Sequence, residues 1–230
     1  MLEKSPNFSK KIRKKNDIKF VIIHYTGMQS EIESIKRLKN PKSKVSCHYL
    51  INKKGKLFQL VEDKKVAWHA GKSKWKNYFN LNYYSIGIEL VNKGHNHGYE
   101  NFPNLQIQSL IKLCRFLKKK YRIKCQNFLG HSDIAPLRKI DPGEKFPWRD
   151  LSKKGFGDWY SLNKSKNINA EKAKFRNLFF LNLHKLGYRY FSKNKARKAD
   201  KKIIRVFQQK YIPNKVTGII DLKTLKISHF

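Results

Sequence analysis

Acidic residues are scarce in this chain: 16 Asp and Glu stand against 52 Lys and Arg in 230 residues, a net charge of +36. Cysteine is scarcer still. Cys47, Cys114 and Cys125 include no C-x-x-C pair, which argues against a disulfide framework or a cysteine-based zinc knuckle and leaves buried or free thiols. Seven prolines and 12 glycines are too few for a collagen-like, mucin-like or Gly/Pro-rich disordered chain. No run approaches the ~20 apolar residues that cross a bilayer, and the start, Met1 to Asn7, lacks the apolar stretch of about 7–15 residues that marks a secretory signal. The expectation is a cytoplasmic protein without an integral membrane segment, with a periplasmic or outer-membrane-associated location as the alternative if the amino terminus is incomplete or export is non-standard.

What the chain does have is enough apolar material to fold. Hydrophobic residues make up 40% and aromatics 13%, and at roughly 100–200 residues per domain the length allows one large domain or a medium and a small one. The positive charge first suggests nucleic acid. Only ten of the cations are Arg, however, and phosphate and base-edge recognition favours the guanidinium fork. The charge is also diffuse, with nets of +20 over residues 1–150 and +16 over 151–230. Together with abundant Asn, Ile, Phe and Tyr, this pattern fits a compositional bias, and no nucleic-acid partner is expected.

Periodicity divides the chain. Lys19 to His24 is a short β-branched run of the kind that forms a buried strand. Ile32, Ile35 and Leu38 recur at helical spacing until Lys39-Asn40-Pro41 stops the helix. Val45 to Asn52 and Lys56 to Val61 flank Lys53-Lys54-Gly55 as a hairpin. Ser85 to Val91 is another strand. Leu105 to Tyr121 carries Leu105, Leu110, Ile111, Leu113, Cys114 and Leu117 on one side of an amphipathic helix, and Gln126 to Leu129 is a last strand. Interleaved strands and helices over residues 1–150 predict an α/β fold, a sheet with helices on its faces. Residues 151–169, rich in Lys, Gly, Ser and Asn and anchored by Trp159-Tyr160, read as a linker or docking turn. Residues 170–230, with helical patterns over Glu171–Leu186, Ala199–Tyr211 and Asp221–Ile227, read as a small helical domain.

Two of the eight histidines, His24 and His131, end apolar strands, where side chains emerge at a sheet edge into a cleft. The segment Gly130 to Gly143 after the second strand holds two prolines and several charged groups, as loops that position side chains do. Two imidazoles and a carboxylate would form a zinc set with one position open for water, the arrangement hydrolysis needs. More than a hundred residues separate the two histidines, so spacing leaves a metal site and two strand-capping imidazoles both open.

The motifs carry a resemblance. Val21-Ile22-Ile23-His24-Tyr25-Thr26-Gly27, Val45-Ser46-Cys47-His48-Tyr49-Leu50-Ile51, Ala67-Trp68-His69-Ala70-Gly71, Ser85-Ile86-Gly87-Ile88-Glu89-Leu90 and Gly130-His131-Ser132-Asp133-Ile134-Ala135-Pro136 through Phe146-Pro147-Trp148 resemble, in order, the blocks of zinc-dependent N-acetylmuramoyl-L-alanine amidases of the AmpD type, relatives of peptidoglycan recognition proteins. The resemblance runs from about Ser5 to Trp159. It implies a central mixed β-sheet flanked by helices, and hydrolysis of the amide between the lactyl group of N-acetylmuramic acid and L-alanine of the stem peptide. It further implies Zn2+ held by His24, His131 and Asp141, with Glu89 as the catalytic acid/base and Lys139 as the stabiliser of the oxyanion. Weaker expectations follow for His48, His69 and Trp68: the histidines line the cleft, holding substrate or orienting a ligand, and Trp68 stacks on sugar or peptide. Trp75 and Tyr49 are candidate stacking aromatics of the same grade, while His95 and His97 read as loop residues and His184 and His229 as structural.

Leu183-His184-Lys185-Leu186-Gly187-Tyr188, Val206-Phe207-Gln208-Gln209-Lys210-Tyr211 and Thr217-Gly218-Ile219-Ile220-Asp221-Leu222-Lys223-Thr224-Leu225 resemble the three-helix peptidoglycan-binding domain often appended to such enzymes. That implies peptidoglycan or a muropeptide as partner, in a protein read as a monomer. The alternative functional reading is a non-catalytic peptidoglycan-recognition protein.

Overall fold

The computed structural model describes residues 4–161, 174–192 and 195–229. Its centre is a five-stranded mixed sheet in the order β4-β3-β8-β2-β9, where β2 is Phe20–Tyr25, β3 Tyr49–Ile51, β4 Leu57–Gln59, β8 Ser85–Leu90 and β9 Phe128–Gly130. β8 and β9 flank β2 in parallel, β3 is parallel to β8, and β4 turns back antiparallel. A strand covered on both faces needs apolar residues at every position, and β2 answers this by alternation. Val21 and Ile23 enter one core with Ile86, Ile88, Leu90 and Phe128, and Phe20 and Ile22 enter another with Leu129.

Helix α1 (Glu31–Lys39) starts where Ser30 Oγ accepts from the Glu33 N–H at 3.1 Å, a side-chain cap. Helix α2 (Asn104–Tyr121) covers the first face through Leu110, Leu113, Cys114 and Leu117. Here the structure departs from the apolar pattern, because Leu105 is exposed and Gln106 is buried in its place. The Gln106 amide donates to the carbonyls of Ile51 and Val91 at 3.0 and 3.1 Å, which pairs its buried N–H groups and ties the helix to the ends of β3 and β8. Two small ribbons that the periodicity did not signal lie outside the main sheet: β1 (Phe8–Ile12) pairs with β5 (Lys65–Ala67), and β6 (Lys74–Trp75) with β7 (Tyr78–Phe79).

The one-turn helix α3 (His131–Ile134) follows β9 directly, and α4 (Trp148–Lys153) follows the loop after it. Residue 151, read as the start of a linker, is instead in this packed helix: Leu151 and Phe156 are buried in the first core. The composition there is polar because Ser152, Lys153 and Lys154 face outward while two apolar side chains suffice to hold the turn. Residues 162–169 of the expected linker, and residues 170–173 at the start of the expected helical domain, lie outside the described residues. Helices α5 (Phe175–Leu186), α6 (Asp200–Tyr211) and α7 (Leu222–Ile227) form the carboxy-terminal part. They share a core with the sheet: Phe179, Phe180, Leu183, Tyr188 and Phe207 pack in one cluster with Phe20, Ile22 and Leu129.

Candidate functional site

The parallel register sets the site. His24 lies opposite Glu89 across β2 and β8. Since Phe20 and Ile22 face the second core, period-2 alternation puts His24 on that face too, and Glu89 shares it because Ile86, Ile88 and Leu90 face the first. His131 opens α3 one residue past β9, and the loop to Asp141 returns so that the Ser132 N–H donates to the Asp141 carbonyl at 2.9 Å. All of this occurs at the carboxyl ends of parallel strands, where open α/β sheets form their clefts.

Three donor atoms converge there. His24 Nδ1 and His131 Nδ1 are 2.9 Å apart, and each is 3.1 Å from Asp141 Oδ2. All three residues are buried. Proton bookkeeping shows what those atoms are. The outer nitrogen of His131, Nε2, lies 3.2 Å from the Ala70 carbonyl and 3.4 Å from Arg138 Nη2; donation to the carbonyl, the nearer partner, leaves Nδ1 with a lone pair toward the other two residues. For His24 the chain is longer. The Ser85 hydroxyl donates its one proton to the Leu81 carbonyl at 2.6 Å, so its oxygen accepts from His69 Nε2 at 3.2 Å. His69 Nδ1 then accepts from His24 Nε2 at 3.0 Å, and His24 Nδ1 also presents a lone pair. Burial, with His131 as the next cause, lowers the His24 pKa to about 4. Burial also keeps His69 well below the ordinary histidine range. Burial alone would raise Asp141, but His131 and His24 hold it well below the usual carboxylate range. The centre therefore brings one nitrogen from each of two imidazoles and a carboxylate oxygen to face one point. Such a set repels itself unless a cation lies between, and its 2.9–3.1 Å edges are close to the roughly 3.3 Å edges of a tetrahedron with metal–nitrogen bonds of about 2.0–2.1 Å. The residues present fit a divalent metal.

A cleft of about 580 Å3 opens on this set, lined also by Glu89, Lys139, Trp68, Tyr25, Thr26 and His97 among others. Glu89 Oε2 is buried without a hydrogen-bond partner among the described residues. Desolvation, and after it the charge of Asp141, pushes the Glu89 pKa to about 8, against the pull of Lys139. His69 lines the cleft, but as the residue that orients His24. Gly87 makes this possible: a Cβ there would stand 2.3 Å from His69 Cγ, so only glycine lets the imidazole lie against β8. His48, expected to line the cleft, does not. It is fully buried, its Nδ1 accepts from the Gly87 N–H at 3.0 Å, and its Nε2 lies against Arg13 and the Lys65 carbonyl. His95, read as a bare loop residue, bridges the Tyr25 hydroxyl and Glu144 at 2.9 and 3.1 Å. Tyr25 was legible only as the residue after His24, and the Arg37 at the cleft rim carried no signal among so many cations.

A mixed sheet with a His-His-Asp centre at its strand ends defines a hydrolase-type α/β cleft built around a metal-binding set. The family model described as N-acetylmuramoyl-L-alanine amidase matches residues 14–144, and the chain belongs to that family. It is 34% identical over 226 residues to the N-acetylmuramoyl-L-alanine amidase AmiD of Escherichia coli, covering 92% of this chain and 81% of that protein. It is 35% identical over 162 residues to the 1,6-anhydro-N-acetylmuramyl-L-alanine amidase AmpD of Haemophilus influenzae, covering 63% of this chain and 85% of that protein. Among solved structures, E. coli AmiD in complex with anhydro-N-acetylmuramic acid-L-Ala-D-gamma-Glu-L-Lys superposes with a TM-score of 0.81 at 32% identity, over 96% of this chain and 90% of that one. AmpDh3 of Pseudomonas aeruginosa in complex with an anhydromuramic pentapeptide gives a TM-score of 0.82 at 28% identity, over 97% and 94%.

Proposed function

We propose that this amidase acts on muropeptides with one zinc ion held by His24, His131 and Asp141, cleaving the amide between the lactyl group of N-acetylmuramic acid and L-alanine. The observation that carries the reading is the convergence of two imidazole nitrogens and a carboxylate oxygen within about 3 Å of one another. When bound, zinc supplies Lewis acidity for a poor electrophile and lowers the pKa of water toward neutrality. The rest falls to the chain. Glu89 is the proton carrier: with its pKa near 8 it holds and releases a proton close to neutral pH, the condition for taking one from the attacking water and returning it to the leaving amine. Lys139, in the same cleft, offers positive charge to the oxyanion that forms on the amide carbonyl. Trp68, half-buried in the cleft wall, offers a face for the sugar or the stem peptide.

The substrate class is supported by the names of the relatives and by the two muropeptide-bound neighbours. The test is mass spectrometry of digests of intact sacculi and of soluble anhydro-muropeptide, with and without chelator. Release of free stem peptides that stops on chelation and returns with zinc is expected. Release that survives complete metal removal refutes the reading.

A further inference from the structure

Two residues from the carboxy-terminal part reach the metal-binding set at one remove. Asp133, two positions after His131 on the one-turn helix α3, is 1% exposed. Its Oδ2 accepts from the Gly130 N–H at 2.8 Å and from Lys210 Nζ at 2.6 Å, and its Oδ1 accepts from the Tyr188 hydroxyl at 2.5 Å. Lys210 is 5% exposed and Tyr188 is fully buried. One carboxylate thus fastens the backbone on both sides of His131, and the Ser132 N–H carries the same restraint to the Asp141 carbonyl. The loop beyond is fastened by α6, the helix that carries Lys210, since Gln209 donates to Glu144 Oε2 at 3.0 Å.

Docking of the helical part does not call for this ion pair. The shared core of Phe179, Phe180, Leu183 and Phe207 already supplies the apolar contact, and a buried pair is a poor source of stability because desolvation offsets its attraction. What a buried pair does impose is geometry: with Lys210 or Tyr188 removed, Asp133 loses a donor it now holds and must turn or admit water. Either moves α3.

We propose that Lys210 and Tyr188 are positioning residues of the metal site, holding His131 and Asp141 in register through Asp133, so that the carboxy-terminal helices complete the catalytic centre. The inference rests on the zinc reading above. It places the helical part inside the hydrolytic machinery, in contrast to an appended module that could be removed without consequence for the metal.

The test is a zinc titration of the full chain against a chromophoric chelator, with circular dichroism and thermal melts alongside. Lys210→Met is expected to weaken zinc binding by about 10–100-fold, the range found when partners behind a metal ligand are lost, and Tyr188→Phe to weaken it less. Excess zinc restores kcat in both, with KM unchanged. Adding Asp133→Asn to Lys210→Met recovers part of the affinity by removing the stranded charge. Asn182→Ala, which loses a 3.1 Å bond to Ser228 inside the helical part, lowers Tm and leaves zinc affinity in place. If Lys210→Met does not fold, Tyr188→Phe decides. Wild-type affinity in both single variants, or an affinity that merely tracks Tm across the whole set, overturns the proposal. A wild-type chain that takes up no zinc overturns the metal reading itself, and is distinguished from the first result by the same titration.

Discussion

Glu89 joins the chemistry to the stability of the fold, and Glu89→Gln separates them. In the metal-free chain the Glu89 pKa stands at about 8 against an ordinary 4.5, because its carboxylate is desolvated beside the charge of Asp141. A carboxyl group whose pKa is raised by folding supports the fold fully below its unfolded value, and its contribution is lost as pH rises from about 4.5 toward about 8. Each pH unit within that window is worth about 1.36 kcal/mol. At pH 7 the wild type is therefore less stable than a neutral isostere by at most about 3 kcal/mol, and by about 1–2 kcal/mol once the water of the cleft around a partly exposed side chain is counted. Glu89→Gln is expected to be more stable than wild type by that amount in chelator at pH 7, by little at pH 4.5, and by a constant margin above pH 8. Zinc narrows the gap, since it neutralises the Asp141 charge that forms part of the shift. Activity moves the other way, with kcat falling by about 10²–10⁴-fold and zinc retained. Urea denaturation across pH, read beside zinc content and turnover, measures all three. A variant less stable than wild type at pH 8, or a stability gap indifferent to pH, refutes the argument that this carboxylate is held desolvated for proton transfer.

Other outcomes follow from the same geometry. Gly87→Ala drives a methyl group into the His69 ring and is expected to cost about 1–3 kcal/mol by overpacking and to weaken zinc binding, because His24 Nε2 loses its acceptor; unchanged zinc affinity in chelator competition would remove His69 from the site. Lys139→Met should lower kcat by about 10²–10³-fold, the scale seen when an oxyanion donor is removed, with zinc content unchanged, whereas an effect confined to KM would reassign the lysine to substrate binding. Trp68→Ala should raise KM for muropeptides and leave kcat in place, the signature of uniform binding lost, and steady-state kinetics on an anhydro-muropeptide distinguish the two.

How far the chain could be read before folding depended on what each residue's signal resembled. β2 was legible because a strand covered on both faces is apolar on both, as Phe20 to Ile23 are, and β8 because Ile86, Ile88 and Leu90 alternate along it. β1 was silent. Phe8–Ile12 is a mostly exposed edge strand, and a strand with water on one side and lysine within it has no pattern to distinguish it from a loop. His24 and His131 stood out as strand-end histidines, but their grouping with Asp141 could be named only through a resemblance, since 117 positions separate the first from the last and nothing local ties them. His48 went astray for a related reason. A motif block marks a residue as constrained without saying which way its side chain turns, and in this fold the backbone N–H of Gly87 claims its ring.

The lysine at position 210 shows why composition hid the most consequential contact between the two halves of the chain. A single cation among 52 Lys and Arg carries no information by its type, and a carboxylate beside a catalytic histidine reads as one more cleft residue. Only burial separates Lys210 and Asp133 from the solvated charges around them, and burial is a property of the assembled core, in which Phe207 on the same helix packs against the sheet that carries His24. Apolar contact is non-directional, whereas the Lys210–Asp133 pair has a direction and, on the proposal above, sets the helix against α3. It does so on the element where a displacement of a few tenths of an ångström would already be felt by a metal ligand. The scarcity of acidic residues sharpens the same logic: 16 carboxylates cannot neutralise the surface, and two of the buried ones, Asp133 and Asp141, stand in and directly behind the metal-binding set.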